Sequence, residues 1–314
     1  MRRLNTSDYT SGSKTGGINE ALAEMNPGDE LVISGEISAS ESIKIMVPNI
    51  LLLFEAATVD FGALPIVGFV LSAPHVTLYG DGASIIRNCG LSGIMLEAGS
   101  VKSRVEGLEV TAYNLSNSNG HAGIFGYKVG GPVAIKHCYT HDGNGNGIRL
   151  QNCPDSYVGY SHVGPTIVLP LPATSPNPQS MEGITAGPSG TIEGNLVELA
   201  YTTGILLYAV VPYCDLRVTD NTIRDCSQQH AGWHEAICLN ANDTTISGVE
   251  IDGNRAYCTQ STPMMECLLG LYAGSSGIIQ CGWGQNYQWN CTSANKVAMG
   301  ISNLSTQLMD WQVD

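Results

Sequence analysis

The sequence predicts an all-β solenoid, a single-stranded parallel β-helix, because three sets of residues repeat on one period. Ile205, Ile237, Leu269 and Ile301 are spaced by 32, 32 and 32 residues, in short apolar segments such as Gly204-Ile205-Leu206-Leu207 and Ala236-Ile237-Cys238-Leu239. Cys226, Cys258 and Cys291 form a second phase at 32 and 33, and Asn221, Asn254 and Asn286 a third at 33 and 32. One such coil cannot bury its own apolar side chains, whereas stacked coils can. Parallel stacking at about 4.8 Å per coil superposes equivalent residues, so that each phase becomes a ladder.

The individual segments are too short and too β-branched for helices. They alternate as strands do in Val105-Glu106-Gly107-Leu108-Glu109-Val110 and Ile246-Ser247-Gly248-Val249-Glu250-Ile251. Ile124, Ile148 and Ile184 are earlier copies of the apolar marker, and Tyr113 and Cys138 stand 11 and 10 residues before Ile124 and Ile148 as the cysteines do before theirs. Glycine, at 37 of 314 residues, supplies the tight turns that many short strands require. At the N-terminus, apolar residues at 18, 21, 22 and 25 predict a short amphipathic helix, placed to cap the open end of the core. The expected organisation is one β-helix domain over 1–314, with 1–30 as N-terminal segment and capping helix. Pro165, Pro170, Pro172, Pro176 and Pro178 mark 164–181 as a stiff loop inserted between two coils.

Composition narrows the partners. With 14 basic and 28 acidic residues the net charge is −14, and dense Lys/Arg for nucleic acid or an anionic membrane is lacking. No apolar stretch approaches the roughly 18–20 residues of a membrane span. Met1–Ser7 carries basic residues with no hydrophobic stretch behind them and does not read as a secretion signal. Ten cysteines favour an oxidising compartment, although none forms a CxxC pair and no His/Cys cluster has zinc spacing. The stacked Cys226, Cys258 and Cys291 are expected as buried thiols, because parallel side chains strain a bridge.

Aligning the coils on their marker places the preceding loops on one edge, one above another. These loops carry His121, then His141 and Asp142, then His230, Trp233, His234 and Glu235, then Glu266, so four of the seven histidines share that edge. Between them, Ala200 to Ile205 is only five residues long, so Tyr201-Thr202-Thr203 is expected to floor a notch walled by Gln228–Glu235 on one side. His234 and Glu266 each lie three residues before their marker, one coil apart, which suits a general base or acid held by a carboxylate. Glu235 with Glu266 is the best carboxylate pair, and adjacent-coil spacing fits the roughly 5 Å of a retaining glycosidase. Arg149, between Ile148 and Leu150, points outward and reads as surface decoration or as a partner for a substrate carboxylate.

The capping helix, the turn Asn26-Pro27-Gly28-Asp29 and the coil opening at His75-Val76-Thr77-Leu78-Tyr79-Gly80-Asp81-Gly82 resemble the pectate-lyase-like superfamily of right-handed parallel β-helices. The resemblance covers nearly the whole chain and is architectural. It implies a carbohydrate-active enzyme, a polysaccharide lyase or glycoside hydrolase, that is extracellular, at a cell surface or carried on a virion. On that reading His234, Glu235 and Glu266 are catalytic, and His121, His141, Asp142, Tyr201, His230 and Trp233 contact a polysaccharide in the groove. Gly120-His121-Ala122-Gly123 is similar to the Gly-His-Gly motif of polygalacturonase-type hydrolases, and His234-Glu235 to the end of the Asp-Pro-His-Glu motif of alginate epimerases. The acidic charge favours a neutral glycan, or a charged one bridged by Ca2+. The alternative is a non-catalytic surface, filament or virion protein that uses the β-helix as a rigid rod and self-associates through its ends, where Met309 and Trp311 could dock.

Overall fold

The computed structural model of the chain describes residues 1–10, 12–116, 120–166, 181–209, 211–229, 231–241, 244–274, 277–301 and 306–309. The proline-rich stretch 167–180, His230 and Trp311 therefore lie outside the described residues.

From Thr77 onward each coil contributes three short strands, and equivalent strands stack in parallel into three faces. The first face runs from Thr77–Gly80 through Gly190–Glu193 to Ile278–Trp283, and the second from Ile85–Arg87 through Leu196–Glu198 to Tyr287–Trp289. The third face holds ten strands, beginning at Ile43–Ile45 and ending at Val297–Ile301. The marker residues pair in sequence on this third face: Ile94, Ile124, Ile148, Ile184, Ile205, Ile237, Leu269 and Val297 lie opposite one another. The first seven have no exposed surface and belong to one continuous core running from Ile18 to Trp283.

The last register differs from the expected one. Val297, not Ile301, stands opposite Leu269, and Ile301 pairs with Ala273. The final strand Val297–Ile301 carries an apolar residue at both ends, so a spacing of 32 landed on the wrong end of the right strand. The loop expected over Thr292–Gly300 is correspondingly shorter.

The second phase also splits. At the corner between the second and third faces, Asn88, Ala112, Asp142, Leu199, Asp225 and Asn290 adopt left-handed backbone conformations with φ between 50° and 57°. The following residue turns inward, which places Cys89, Tyr113, Cys226 and Cys291 in one corner environment. Such a conformation costs about 1–2 kcal/mol for a non-glycine residue, so its recurrence reflects a corner that stacking imposes. Cys138 belongs instead to the corner between the first and second faces, where its N–H bonds Ser161 Oγ at 3.2 Å. All ten cysteines are free thiols.

That other corner carries the asparagine ladder, one rung longer than expected. Asn195, Asn221, Asn254 and Asn286 are buried, and the side-chain amide of each of the first three donates to the next one's Oδ1 at 2.9–3.0 Å. The same Oδ1 atoms accept the preceding asparagine's backbone N–H at 3.0–3.1 Å. The ladder thereby satisfies main-chain groups that a sharp turn leaves without partners.

The helix Ile18–Glu24 buries Ile18, Ala21 and Leu22 against the first coil, as its periodicity predicts. An unforeseen strand, Arg3–Asn5, extends the sheet by pairing with Glu30–Val32. Asp29 pins it, accepting the N–H groups of Arg2 at 2.7 Å and Asn26 at 2.9 Å. These bonds, the Arg2 N–H foremost, lower the Asp29 carboxyl from 3.8 to about 2. A depressed carboxyl stabilises the fold above its unfolded value and ceases to do so as pH falls through its folded value. The expected result is that residues 3–5 lose amide-exchange protection between about pH 4 and pH 2 while the core ladders keep theirs. Asp29→Asn removes this acid dependence.

Candidate functional site

Strand alternation on the third face sends Ile148 and Leu150 into the core and Arg149 and Gln151 out of it. The same alternation, carried through the register, lines up Arg149, Thr185, Leu206, Cys238 and Gly270 in one outer row. Beside it runs Tyr208, Asn240 and Tyr272. Two residues before each marker stand Asn146, Glu182, Thr203, Glu235 and Cys267, at the edge where the chain enters this face.

The short coil stacks directly under its successor: the Gln228 and Gln229 N–H groups donate to the carbonyls of Ala200 and Tyr201 at 3.2 and 2.8 Å. On the opposite side the Tyr201 N–H donates to Thr166 Oγ1 at 3.0 Å, and Thr166 Oγ1 donates to the Met181 carbonyl at 2.7 Å. That pair of bonds ties together the two bases of the insertion. The floor is closed rather than open: Thr202 and Thr203 are buried and Tyr201 is half-buried.

Glu235 is 2% exposed, with its side chain laid over Gly270 on the neighbouring strand. A Cβ at position 270 would come within 2.5 Å of the Glu235 carboxyl carbon, so only glycine leaves the carboxyl its place. The Tyr272 hydroxyl donates to Glu235 Oε1. Burial raises the Glu235 pKa, the hydrogen bond and charge of Glu266 push the same way, and the Tyr272 bond opposes them. Glu266 stands on the adjacent coil and acts on Glu235 as a neighbouring carboxyl that raises its pKa.

His234 and Glu266 occupy adjacent coils as expected, the Glu266 N–H donating to the His234 carbonyl at 2.9 Å. His234 Nε2 lies 3.3 Å from Gln229 Oε1, and Trp233 is 63% exposed beside it. His121 sits at the far end of the row, 3.1 Å from Ser92 Oγ and edge-on to Phe125. Burial, then the charge of Arg149, lowers its pKa.

His141 and Asp142 do not join this row. His141 ends a second-face strand, and its side chain lies along the outer surface of that face, 2.7 Å from Asp142 Oδ2 and 3.2 Å from Glu109 Oε1. Tyr139 stacks on both His141 and His162 with ring centroids 4.0 and 4.4 Å apart. The marker alignment counted residues back from the third face and could not tell the last strand residue of one face from the loop leading to the next.

Sequence reasoning missed Glu182, Asn146, Tyr208 and Tyr272, and undervalued Arg149. Glu182 precedes Ile184 by two residues, as Glu235 precedes Ile237, so the same phase held the signal. The insertion before it hid the match. Among the described residues no three His, Cys, Asp or Glu side chains gather to hold a metal ion, and no helix is long and apolar enough to cross a membrane.

No family model and no curated protein sequence matches the chain. Solved structures do match. The Dettilon tailspike protein gp208 superposes with a TM-score of 0.62 at 13% identity, over 94% of this chain and 64% of that one. The tailspike protein of E. coli bacteriophage HK620, as a double mutant in complex with a pentasaccharide, gives 0.62 at 13% identity, over 99% of this chain and 66% of that one. An alginate lyase from Paenibacillus sp. str. FPU-7 gives 0.52 at 14% identity, over 93% of this chain and 99% of that one. The chain has the right-handed parallel β-helix fold. It spans slightly under two thirds of the length of the tailspikes it resembles.

Proposed function

We propose that this protein is an extracellular or virion-borne glycoside hydrolase that takes a polysaccharide across the outer surface of the third face. The observation that carries the reading is the Glu235–Glu266 pair: a buried carboxyl whose pKa is raised by burial, with a second carboxyl on the next coil acting in the same direction. A protonated carboxyl held in that way suits the general acid of glycoside cleavage. Glu235 gives its proton to the departing glycosidic oxygen, water attacks the anomeric carbon, and His234 takes the proton that water releases. Glu266 adds to the rise of the Glu235 pKa, while Trp233 and Tyr201 offer aromatic faces to sugar rings. The solved neighbours with polysaccharide-related names support a glycan as the substrate class.

A panel of glycans incubated with the purified protein, with calcium or with chelator, tests the reading. New reducing ends without an unsaturated product support hydrolysis. Unsaturated product means a lyase, and silence across the panel favours the rigid-rod alternative. The pH profile supplies a finer check. Removing the Glu266 charge takes away a group that raises the Glu235 pKa, so Glu266→Gln is expected to shift the basic limb of kcat/KM to lower pH. An unmoved limb rules Glu235 out as the titrating acid.

A further inference from the structure

Beyond the Glu235–Glu266 pair, a second polar site lies about two coils away along the same face. A cavity of about 270 Å³ is lined by Asn146, Arg149, Gln151, Glu182, Thr185, Leu206, Tyr208 and Tyr213, of which the polar Asn146, Arg149 and Glu182 and the apolar Leu206 and Tyr213 decide its chemistry. Asn146 is 1% exposed and Glu182 is 7% exposed. Asn146 Oδ1, Arg149 Nε and Glu182 Oε2 are buried atoms with no hydrogen-bond partner, and three residues with such atoms lining one cavity are costly unless a ligand meets them.

Their chemistry is specific. Arg149 Nη2 is held by Gln151 Oε1 at 3.1 Å, leaving the Nε–H as a free donor. Asn146 Nδ2 donates to Thr185 Oγ1 at 2.8 Å and bonds the Glu182 carboxyl, so its Oδ1 remains an acceptor. Burial raises the Glu182 pKa against the opposing pull of Arg149 and Asn146. The site therefore offers the Arg149 Nε–H donor, the Asn146 Oδ1 acceptor and the unpaired Glu182 Oε2 against an apolar wall of Leu206, Tyr208 and Tyr213, the Tyr213 hydroxyl being spent on the Tyr208 carbonyl at 2.7 Å. A carboxylate, with acceptors alone, would face the Asn146 oxygen unfavourably. A plain hydroxyl leaves the apolar wall unused. A secondary amide has a carbonyl for the Arg149 donor, an N–H for Asn146 Oδ1 and a methyl for the wall.

We infer that this cavity binds the N-acetyl group of an amino-sugar unit in the glycan. The inference rests on the proposed glycan-processing role and names a unit of its substrate. The outer row connects the two places: Cys238, in that row, lies within electrostatic reach of both Glu235 and Glu182. Glu182 and Glu235 are equivalent positions on strands two coils apart, about 10 Å along the axis.

Saturation-transfer NMR with the methyl glycosides of N-acetylglucosamine, N-acetylgalactosamine, glucose and glucuronic acid tests it. The expected result is saturation of the acetyl methyl of at least one amino sugar, and none of glucose or glucuronate. Arg149→Met and Glu182→Leu are expected to weaken that binding at least tenfold, whereas Glu182→Gln, which keeps a hydrogen-bonding side chain of the same shape, retains it. Circular dichroism separates lost binding from lost fold, and the wild-type ligand ranking stands without any variant. Preference for glucuronate or glucose, or no binding of either amino sugar at millimolar concentration, overturns the inference. Cleavage of glycans that lack amino sugars, without amino-sugar binding, overturns it and leaves the hydrolase reading intact. Amino-sugar binding without any cleavage does the reverse.

Discussion

Replacing Glu235 by glutamine is expected to lower kcat about 100- to 10,000-fold on whichever glycan the protein cleaves, the usual worth of a general acid. The shape of the side chain is kept, so the amide still lies over Gly270 and under the Tyr272 hydroxyl. What is lost is the proton. The stability consequence has a definite sign. Burial gives Glu235 a folded pKa above its unfolded value, so the protonated form is favoured by folding. Its contribution is fully present below the unfolded carboxyl pKa of about 4.3 and is lost as pH rises through the folded value. Glu235→Gln removes that dependence, and thermal unfolding near neutral pH is expected at the wild-type temperature or above. A large loss of stability together with activity would place Glu235 among the packing residues and sink its catalytic role.

The second large effect concerns the asparagine ladder. Asn254→Ala is expected to cost about 3 kcal/mol in urea unfolding, because it strands buried groups on both neighbouring coils. Asn254 Nδ2 serves the carbonyls of Val218 and Asp252, at 2.8 and 3.0 Å, and Asn286 Oδ1 at 3.0 Å. Its Oδ1 accepts the N–H and amide of Asn221 at 3.1 and 3.0 Å. Asn254→Asp keeps the acceptor but cannot donate to Val218 or Asn286, and it introduces a buried charge. It is therefore expected to be no better than alanine. A cost below about 0.5 kcal/mol for either variant, the range of an ordinary surface change, would show that water or backbone relaxation replaces the ladder.

How far each of these features was legible depends on what stacking does to sequence. Parallel coils place equivalent residues in register, so any side chain whose neighbours are its own counterparts leaves a periodic trace. Ile205, Ile237 and Leu269 leave one, as do Asn221, Asn254 and Asn286, and the fold follows from them. His234 and Glu266 were also legible, because both lie three residues before a marker, and Glu235 is the neighbour of His234. The failures share a cause. Counting from one face cannot say on which face an upstream residue ends, so Cys138 was assigned to the wrong corner and His141 to the wrong surface. Ile301 imitates a marker because the five-residue strand Val297–Ile301 has an apolar residue at each end.

The sequence by itself determined the repeat, the parallel register over most coils, the capping helix and the edge that gathers His234, Glu235 and Glu266. Tertiary structure alone decided that Glu235 is buried, that Tyr272 and Gly270 hold its carboxyl in place, and that Arg149, Asn146 and Glu182 line a cavity. The physical reason is range. Periodicity fixes backbone positions to within a coil, whereas hydrogen bonds and buried unpaired atoms depend on side-chain distances of about 3 Å. Those distances are set by what lies beside a residue on the next coil, and across an insertion no regular count reaches it.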